Sequence, residues 1–406
     1  MATDTLTALD IGTTKVTCVI AEYDARSHKF NIMGTGCHVS RGVKKGLITS
    51  MDETENAILN AVHSAEKMAG TTIQDVVVNI SGKHLLSELF SLSAPLPTQV
   101  VSEDDINGLI HRASQVDAQS NFEVLHAFPL EYALDATQGI KDPRGLMGRT
   151  LNAKMHVVTA DQQALKNILH CVHRCHLNVR SVISSSIASG YATLTEDEME
   201  MGVTLIDMGG DTTEISIFYE GNVIHTLSIP LGGLHITNDI AHGFNTSLSQ
   251  AERLKTVYGS ALETGEDDKV VMTFSRQGDE KPDARAVKKK YLTQVIKPRA
   301  EEMFQVIKTR LESTNMYKIA GRRIVLTGGC SQLSSIKILA AQILGKQVRL
   351  GHPLRLKGAQ DSPNNPTLST AAGLLDFAYQ DWYHRRTSTQ HTSTWASMIA
   401  WVKENF

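Results

Sequence analysis

The sequence predicts an α/β protein built from two related lobes, and three observations carry that reading. Strand-like alternation and helical spacing follow one another along all 406 residues, a length that suits two domains better than one core. One short sentence is written twice: ALDIGTTKVTCVI at residues 8–20 and LIDMGGDTTEISIF at 205–218. Each is a strand carrying Asp near its end, a tight Gly turn with small hydroxyl residues, and a returning strand, and such self-similarity points to lobes of common design. Between the copies, residues 84–162 read as strands and one helix without a Gly-rich loop, which marks an inserted subdomain.

Element by element, LTALDIG reads as a strand entering the first turn and KVTCVIAEY as the strand leaving it. FNIMGTGCHV and DVVVNISG are further strands, with a helix over Glu53–Met68 between them. Helical spacing returns at Gln163–His176 and again, as one long region, at 235–258. Residues 265–290 are polar and read as a hairpin or loop before an amphipathic helix over Tyr291–Ser313. RRIVLTGGCS reads as strand, turn and helix start. Residues 352–368 hold three of the ten prolines and read as loop, and a helix over Thr370–Tyr379 completes the globular part.

Composition narrows the class. Apolar residues make up 41% and charged residues 20%, as in ordinary soluble domains, and a formal net charge of −3 speaks against general nucleic-acid binding. The five cysteines are odd in number and scattered, so a reducing compartment fits better than a disulfide framework. MATDTLTALD lacks the basic and apolar regions of a signal peptide, and no run is long and apolar enough for a spanning helix. HCVHRCH at 170–176 lacks a usual metal spacing and reads as a helix with Cys171 and Val172 inward and its histidines outward. KKK at 288–290 reads as a solvated charge run.

The doubled sentence has the chemistry of a triphosphate site. Such a site needs backbone N–H groups aimed at oxygens, hydroxyl donors, and carboxylates to place Mg²⁺ or its waters. Gly12, Gly209 and Gly210 admit close backbone approach, Thr13, Thr14, Thr212 and Thr213 supply hydroxyls, and Asp10 and Asp207 stand at the strand ends. Two such turns, one from each half, suggest a cleft closed from both sides. Gly328 and Gly329 in IVLTGGCS offer bare backbone against a flat base, or make a plain strand-to-helix turn. Glu252 and Lys255, three apart on a helix, read from the residues alone as an exposed ion pair.

At this point the chain resembles a known family. The stretches SRGVKKGLI, NISGKH, VLHAFPLEYALD, GIKDPRGLMG, ATLTEDEMEMGVTLIDMGG, IPLGGLHITNDIA and AERLKTVYG are similar to the bacterial cell-division FtsA family, within the actin, sugar-kinase and heat-shock ATPase superfamily. The resemblance runs in order from residue 6 to 406. It implies an actin-like two-lobed α/β ATPase fold in which a small α+β subdomain replaces actin's outer subdomain of the first lobe. The implied division is 1–83, 163–200 and 366–380 for the first lobe and 84–162 for the inserted interaction subdomain. The inner second lobe takes 201–234 and 320–365, and its outer part 235–319. A linker over 381–393 and an amphipathic membrane helix over 394–406 complete the chain.

The resemblance also implies roles. ATP with Mg²⁺ would be held by Asp10, Gly12, Thr13, Thr14 and Lys15 on one side and Asp207, Gly209, Gly210 and Thr212 on the other. Gly232, Gly233, Glu252, Lys255, Gly328 and Gly329 would line the nucleoside, and Asp10 and Asp207 would hold the metal through water. Where relatives of the superfamily carry a Gln or Glu that orients the attacking water, this chain has about Ser184, too short for that task, so ATP hydrolysis is expected to be weak, with Asp207 as its remaining helper. Lys297, Arg299 and Arg310 fall on the helix near which the family binds the acidic tail of the tubulin-like FtsZ. The implied role is a filament-forming adaptor on the cytoplasmic face of the inner membrane, contacting FtsZ, its own copies, anionic lipid and, through 84–162, other division proteins, FtsN among them. An actin-fold small-molecule kinase and a chaperone ATPase are the competing classes, and the chain offers neither a sugar-site carboxylate nor residues for a substrate-binding domain.

The last residues, STWASMIAWVKENF, allow two readings from pattern alone: a helix docked on the body or a foot for a surface outside it. On a helical projection Trp395, Met398, Ile399, Val402 and Phe406 fall within about 100° of one another, with Trp401 at the edge. A helix of roughly 21 Å is too short for the ~30 Å hydrocarbon core and suits its surface. The family resemblance favours membrane attachment. The segment is poor in cations, with Lys403 set against Glu404, so Arg385 and Arg386 are expected to add attraction to anionic lipid.

Overall fold

A computed structural model describes residues 5–387, apart from 117–120, 266, 276–284, 315, 320 and 359–363. The first lobe opens with a hairpin of β1 (Leu6–Ile11) and β2 (Lys15–Asp24), joined by β3 (Lys29–Val39). All six residues of β1 are buried, as its apolar run requires of a central strand. A small hairpin, β4 (Val43–Lys44) and β5 (Leu47–Ile48), precedes α1 (Met51–Ala69). The Ser50 side chain caps α1 by accepting from Glu53 N, and Gly70 ends it in the left-handed region. The helix lies so close on β3 that a Cβ at Gly36 would stand 1.8 Å from the Ala61 carbonyl oxygen. Strand β6 (Asp75–Ile80) then runs parallel to β1.

The inserted subdomain follows as β7 (Leu85–Pro95), α2 (Glu103–Ser114), β8 (Phe122–Leu134), β9 (Thr137–Ile140) and β10 (Thr150–Asp161). Its sheet runs β7-β10-β8-β9, and α2 enters through a capping box between Ser102 and Asp105. Leu109, Ile110, Leu151 and Met155 form its own core, so one helix on one sheet makes a separate packing unit. The chain returns to the first lobe through α3 (Gln162–Arg174), β11 (Asn178–Ser184) and α4 (Ser185–Thr193), and α5 (Glu196–Met201) leads out of it.

The second lobe repeats the first. Strands β12 (Val203–Met208), β13 (Thr213–Tyr219) and β14 (Asn222–Ile229) form the matching meander. The reading of one helical region at 235–258 needs correction: α6 (Gly233–Phe244) and α7 (Leu248–Tyr258) are separate, broken where Asn245 turns left-handed and Ser247 caps the next helix. The polar stretch is indeed a hairpin, β15 (Val271–Phe274) and β16 (Arg285–Lys288), before α8 (Lys289–Glu312) and the short α9 (Met316–Ile319). Strand β17 (Arg323–Thr327) ends at the double glycine, which opens a 3-10 turn over Gly329–Gln332; α10 (Ile336–Leu344) begins only afterwards, and β18 (Gln347–Leu350) follows. The two large sheets run β3-β2-β1-β6-β11 and β14-β13-β12-β17-β18, with the same mixture of antiparallel and parallel neighbours; β19 (Leu356–Lys357) is added at the edge of the first.

The last described helix, α11 (Ser369–Thr387), outlasts its expected end at Tyr379 and takes in the start of the expected linker. Aromatic packing explains the extension: Tyr379 stacks on Tyr23 with ring centroids 3.8 Å apart, and Trp382 stacks on Tyr379 at 5.8 Å. Upstream, α11 crosses α4 with backbone against backbone, because a Cβ at Gly373 would lie 1.9 Å from the Ala188 carbonyl oxygen. The membrane-facing candidates Trp395, Met398, Ile399, Trp401, Val402 and Phe406 lie outside the described residues. Among those described, no helix is long and apolar enough to cross a membrane.

Candidate functional site

The two hairpin turns are built alike and face one another. Gly12 N donates to Lys15 O at 3.0 Å, and Gly209 N donates to Thr212 O at 2.9 Å. A Cβ on either glycine would stand 2.9 Å from the opposing carbonyl oxygen, so each turn is a bare-backbone cradle. The turns meet tip to tip: a Cβ on Gly210 would lie 2.4 Å from Thr14 Cγ2. Lys15 spans the floor, its Nζ donating to Thr367 O at 3.3 Å.

A buried carboxylate stands beneath each turn. Asp10 Oδ1 accepts from Asn79 Nδ2 at 2.8 Å, while Asn79 Oδ1 accepts from Ile11 N at 2.6 Å. The same Asn79 amide also donates to Ser185 Oγ at 3.0 Å. Burial pushes the Asp10 carboxyl up to about 7; Lys15 opposes the shift and Asp207 adds to it. Asp207 Oδ2 accepts from Ser189 Oγ at 2.5 Å and from Thr370 Oγ1 at 3.3 Å, and burial raises its carboxyl as well. Gly328, with φ 83°, lets β17 end against this carboxylate, since a Cβ there would be 2.2 Å from Asp207 Oδ1. Two acids left facing each other in a site with few cations are a setting for a divalent ion.

The nucleoside candidates gather at the start of α6. Gly233 N donates to Gly209 O at 3.0 Å and Leu234 N to Gly210 O at 2.7 Å, which fuses this turn to the second hairpin. Gly232 packs on the same carbonyls, where a Cβ would be 2.6 Å from Gly210 O. Lys255 Nζ reaches Gly233 O at 3.0 Å, Thr237 Oγ1 at 2.8 Å and Glu252 Oε2 at 2.7 Å. An ammonium has three protons, so Lys255 is fully engaged and holds Glu252 in place. The Lys255 side chain is 14% exposed and that of Glu252 48%, so the ion pair is exposed on the acid side and anchored in the turn on the lysine side. A Cβ on Gly233 would lie 3.4 Å from Cys330 Sγ, which brings the residue after Gly329 beside this turn, while a Cβ on Gly329 itself would lie 3.7 Å from Thr367 Cγ2.

Other candidates disperse. Thr13 is half-buried at the first turn, and the Thr212 hydroxyl bonds to Glu214. On α8, Arg299 is engaged by Asp239 at 2.6 and 3.0 Å and also meets Glu302, so it is not a free cation. Lys297 stands 3.9 Å from Glu301, and Arg310 is exposed. The three lysines at 288–290 are not simply solvated either: Lys289 pairs with Asp267 at 3.1 Å, and Lys288 and Lys290 pair with Asp268 at 3.7 and 3.5 Å. Cys171 and Cys175 point into the core, while His170, His173 and His176 face solvent.

Sequence reasoning missed Asn79, Ser189, Glu214 and Thr370. A signal existed for two of them: Asn79 interrupts the apolar run DVVVNI, and Glu214 interrupts TTEISIF at an inward position. Ser184, the expected substitute for a water-orienting residue, is buried at the end of β11. Its N–H donates to His126 Nε2 at 3.1 Å, and burial keeps that imidazole neutral by pushing it down to about 3.

A twin-lobed α/β body with mirrored hairpins across one cleft defines an actin-like ATPase-fold protein, and solved structures share this architecture. The chain aligns with a PilM–PilN type IV pilus biogenesis complex at TM-score 0.67, 16% identity, over 92% of this chain and 98% of that one. It aligns with MreB5 of Spiroplasma citri, solved bound to ADP, at TM-score 0.56, 14% identity, over 95% and 99%. The chain belongs to the FtsA cell-division family. The model for cell division protein FtsA matches residues 204–373, and that for the SHS2 domain inserted in FtsA matches 82–159. FtsA of Agrobacterium fabrum is 40% identical over 91% of this chain and 86% of its own length. That of Pseudomonas aeruginosa is 36% identical over 99% and 98%, and that of Escherichia coli 34% over 97% and 95%.

Proposed function

We propose that this chain works as an ATP-binding, filament-forming actin-fold division protein that holds the FtsZ ring at the membrane. The observation that carries the nucleotide part is the pair of facing hairpins with matching Gly12–Lys15 and Gly209–Thr212 bonds. The residues fit ATP and Mg²⁺: each cradle would be filled by a single Cβ, and two buried carboxylates lie beneath them. When bound, the ion would neutralise phosphate charge and polarise the terminal phosphoryl group.

The chain's own residues then divide the work. Thr13, Thr14, Lys15 and Gly210 would cradle phosphates with backbone N–H groups, hydroxyls and one ammonium, and Gly12 and Gly209, whose own N–H groups close the turns, would clear space for close approach. Asp10, fixed by Asn79, and Asp207, fixed by Ser189 and Thr370, would hold the ion through water. Glu252 would accept from ribose hydroxyls while Lys255 steadies it, Gly232, Gly233 and Gly329 would leave room for the base, and Gly328 would serve through its packing on Asp207. Ser184 is short, and its buried hydroxyl lies 3.4 Å from Ser186 Oγ, which supports slow hydrolysis with Asp207 as helper.

The remaining roles extend from the same reading. The tail over 394–406 attaches the chain to anionic lipid on the cytoplasmic face of the inner membrane, and residues 84–162 receive other division proteins such as FtsN. The acidic FtsZ tail meets α8, where Arg310 and Lys297 are better placed than Arg299 to attract it. One membrane helix binds weakly, whereas many on a filament bind firmly through effective concentration. Sedimentation with anionic liposomes, with and without ATP, tests the whole: the full chain should pellet with ATP and a chain ending at Thr389 should not. Equal behaviour of the two chains would refute membrane attachment by the tail.

A further inference from the structure

The second phosphate hairpin carries two acids that its twin lacks, and both reach into the first lobe. Asp211 Oδ2 accepts from Lys45 N at 2.8 Å, and Glu214 Oε1 accepts from Gly82 N at 3.0 Å. The same Glu214 oxygen accepts from Ser228 Oγ at 2.8 Å, and the Thr212 hydroxyl also bonds to this side chain. Glu214 is buried opposite Asp207 in the strand register. Its counterpart in the first hairpin, opposite Asp10, is Thr17, which stays within its own sheet beside Cys37.

The donors are built for this purpose. Lys45, Gly46 and Gly82 all sit in the left-handed region, with φ of 50°, 79° and 112°. Their two turns interlock: a Cβ on Gly46 would be 2.0 Å from Ser81 O, and one on Gly82 would be 2.6 Å from Lys45 O. Neither turn can shift alone, so both N–H groups are offered to the other lobe as one rigid unit. A strained backbone that delivers two donors across a cleft, one to a buried and one to a half-buried acceptor, is costly unless the closure it makes is used.

We propose that Glu214, assisted by Asp211, is a positioning residue that latches the second phosphate hairpin to the first lobe and so retards escape of a bound nucleotide. The proposal rests on the nucleotide reading above. Glu214 touches neither phosphate nor metal in it; it acts by holding the Gly209–Gly210 cradle against its partner.

The test is a chase experiment on the full chain: radiolabelled ATP with Mg²⁺ is bound, then displaced by excess unlabelled ATP. Loss of a buried hydrogen bond that joins the two lobes predicts release about tenfold faster in Glu214→Ala. Glu214→Gln keeps an acceptor oxygen for Gly82 N–H and should stay within about threefold of the parent, whereas Glu214→Met fills a similar volume without that acceptor and should release as fast as Glu214→Ala. Asp211→Ala, at a less buried site, should speed release by a smaller factor. Parent-like release from a folded Glu214→Ala chain, or equally fast release from the Gln and Ala variants, overturns the latch. Should Glu214→Ala fail to fold by thermal melting, Asp211→Ala decides, and parent-like release from it is equally fatal. A parent chain that binds no ATP instead removes the nucleotide reading, and the latch with it.

Discussion

Asp10 and Asp207 occupy the same place in the same kind of hairpin, yet their surroundings are unlike. Asp10 is gripped by an amide, Asn79, which also satisfies the adjacent Ile11 N–H. Asp207 is held by two hydroxyls, Ser189 and Thr370, which come from helices in different parts of the chain. Across the strand pair, the first acid faces Thr17 and the second faces Glu214. The two copies share a backbone geometry but differ in support: Asp10 rests on one amide from the neighbouring strand, and Asp207 on two hydroxyls from two crossing helices.

The comparison can be broken most severely at the strand that runs parallel to the first strand of each hairpin. The register sets Thr327 opposite Asp207, and the step beyond it is Gly328; the corresponding step in the first lobe, beyond Asn79, is Ile80. Gly328→Val would force a branched residue to φ 83° with its Cβ 2.2 Å from a carboxylate oxygen. Overpacking together with left-handed strain predicts a loss of about 3–4 kcal/mol in urea unfolding, whereas Ile80→Val should cost about 1 kcal/mol.

Next in size is Asn79→Ala, which leaves a buried N–H and a buried carboxylate oxygen without their partner. A loss of about 2–3 kcal/mol is expected from urea unfolding, with weaker ATP binding in a filter assay. Proton linkage should be smaller per step. The Asp10 carboxyl titrates near 7 in the fold against an ordinary value of 3.8, so the nucleotide-free chain binds an extra proton between those values. That contribution to stability is complete below about pH 4 and disappears as pH rises through 7, with a ceiling of about 1.4 kcal/mol per pH unit. Asp10→Asn should flatten the fall in urea midpoint between pH 5 and 8, and an unaltered slope would remove Asp10 as its source. Ser189→Ala sharpens the contrast most gently: Thr370 still serves Asp207, so about 1 kcal/mol is expected, less than for the single amide under Asp10.

Much of this was legible in the chain. The doubled hairpin could be read because its residues are contiguous and its chemistry is local: glycines where backbone must approach, acids at strand ends. The inserted subdomain was visible for a similar reason, since its alternation and single helix form a separate core. What escaped reading depends on contacts between distant segments. Asn79 is 69 positions from Asp10, and Gly82 is 132 from Glu214, so no spacing rule could join them. The extension of α11 was hidden because stacking on Tyr23, not its own residue pattern, sustains the helix. Breaking 235–258 into two helices turned on a left-handed Asn245, a choice that helical periodicity does not register.

The crossing of α4 and α11 has a mechanical consequence. Where Gly373 rests on the Ala188 carbonyl there is no layer of side chains to slide, so relative movement at that point is confined to rotation. From this fulcrum to Thr387 the helix extends roughly 21 Å, as a lever arm whose short end touches the cleft at Thr370. A tilt of about 10° there would swing the far end by about 4 Å at that length. Tyr379 lies on that arm and stacks on Tyr23 of β2, so a tilt at the cleft would reach Thr387 only together with a shift of the first lobe's hairpin.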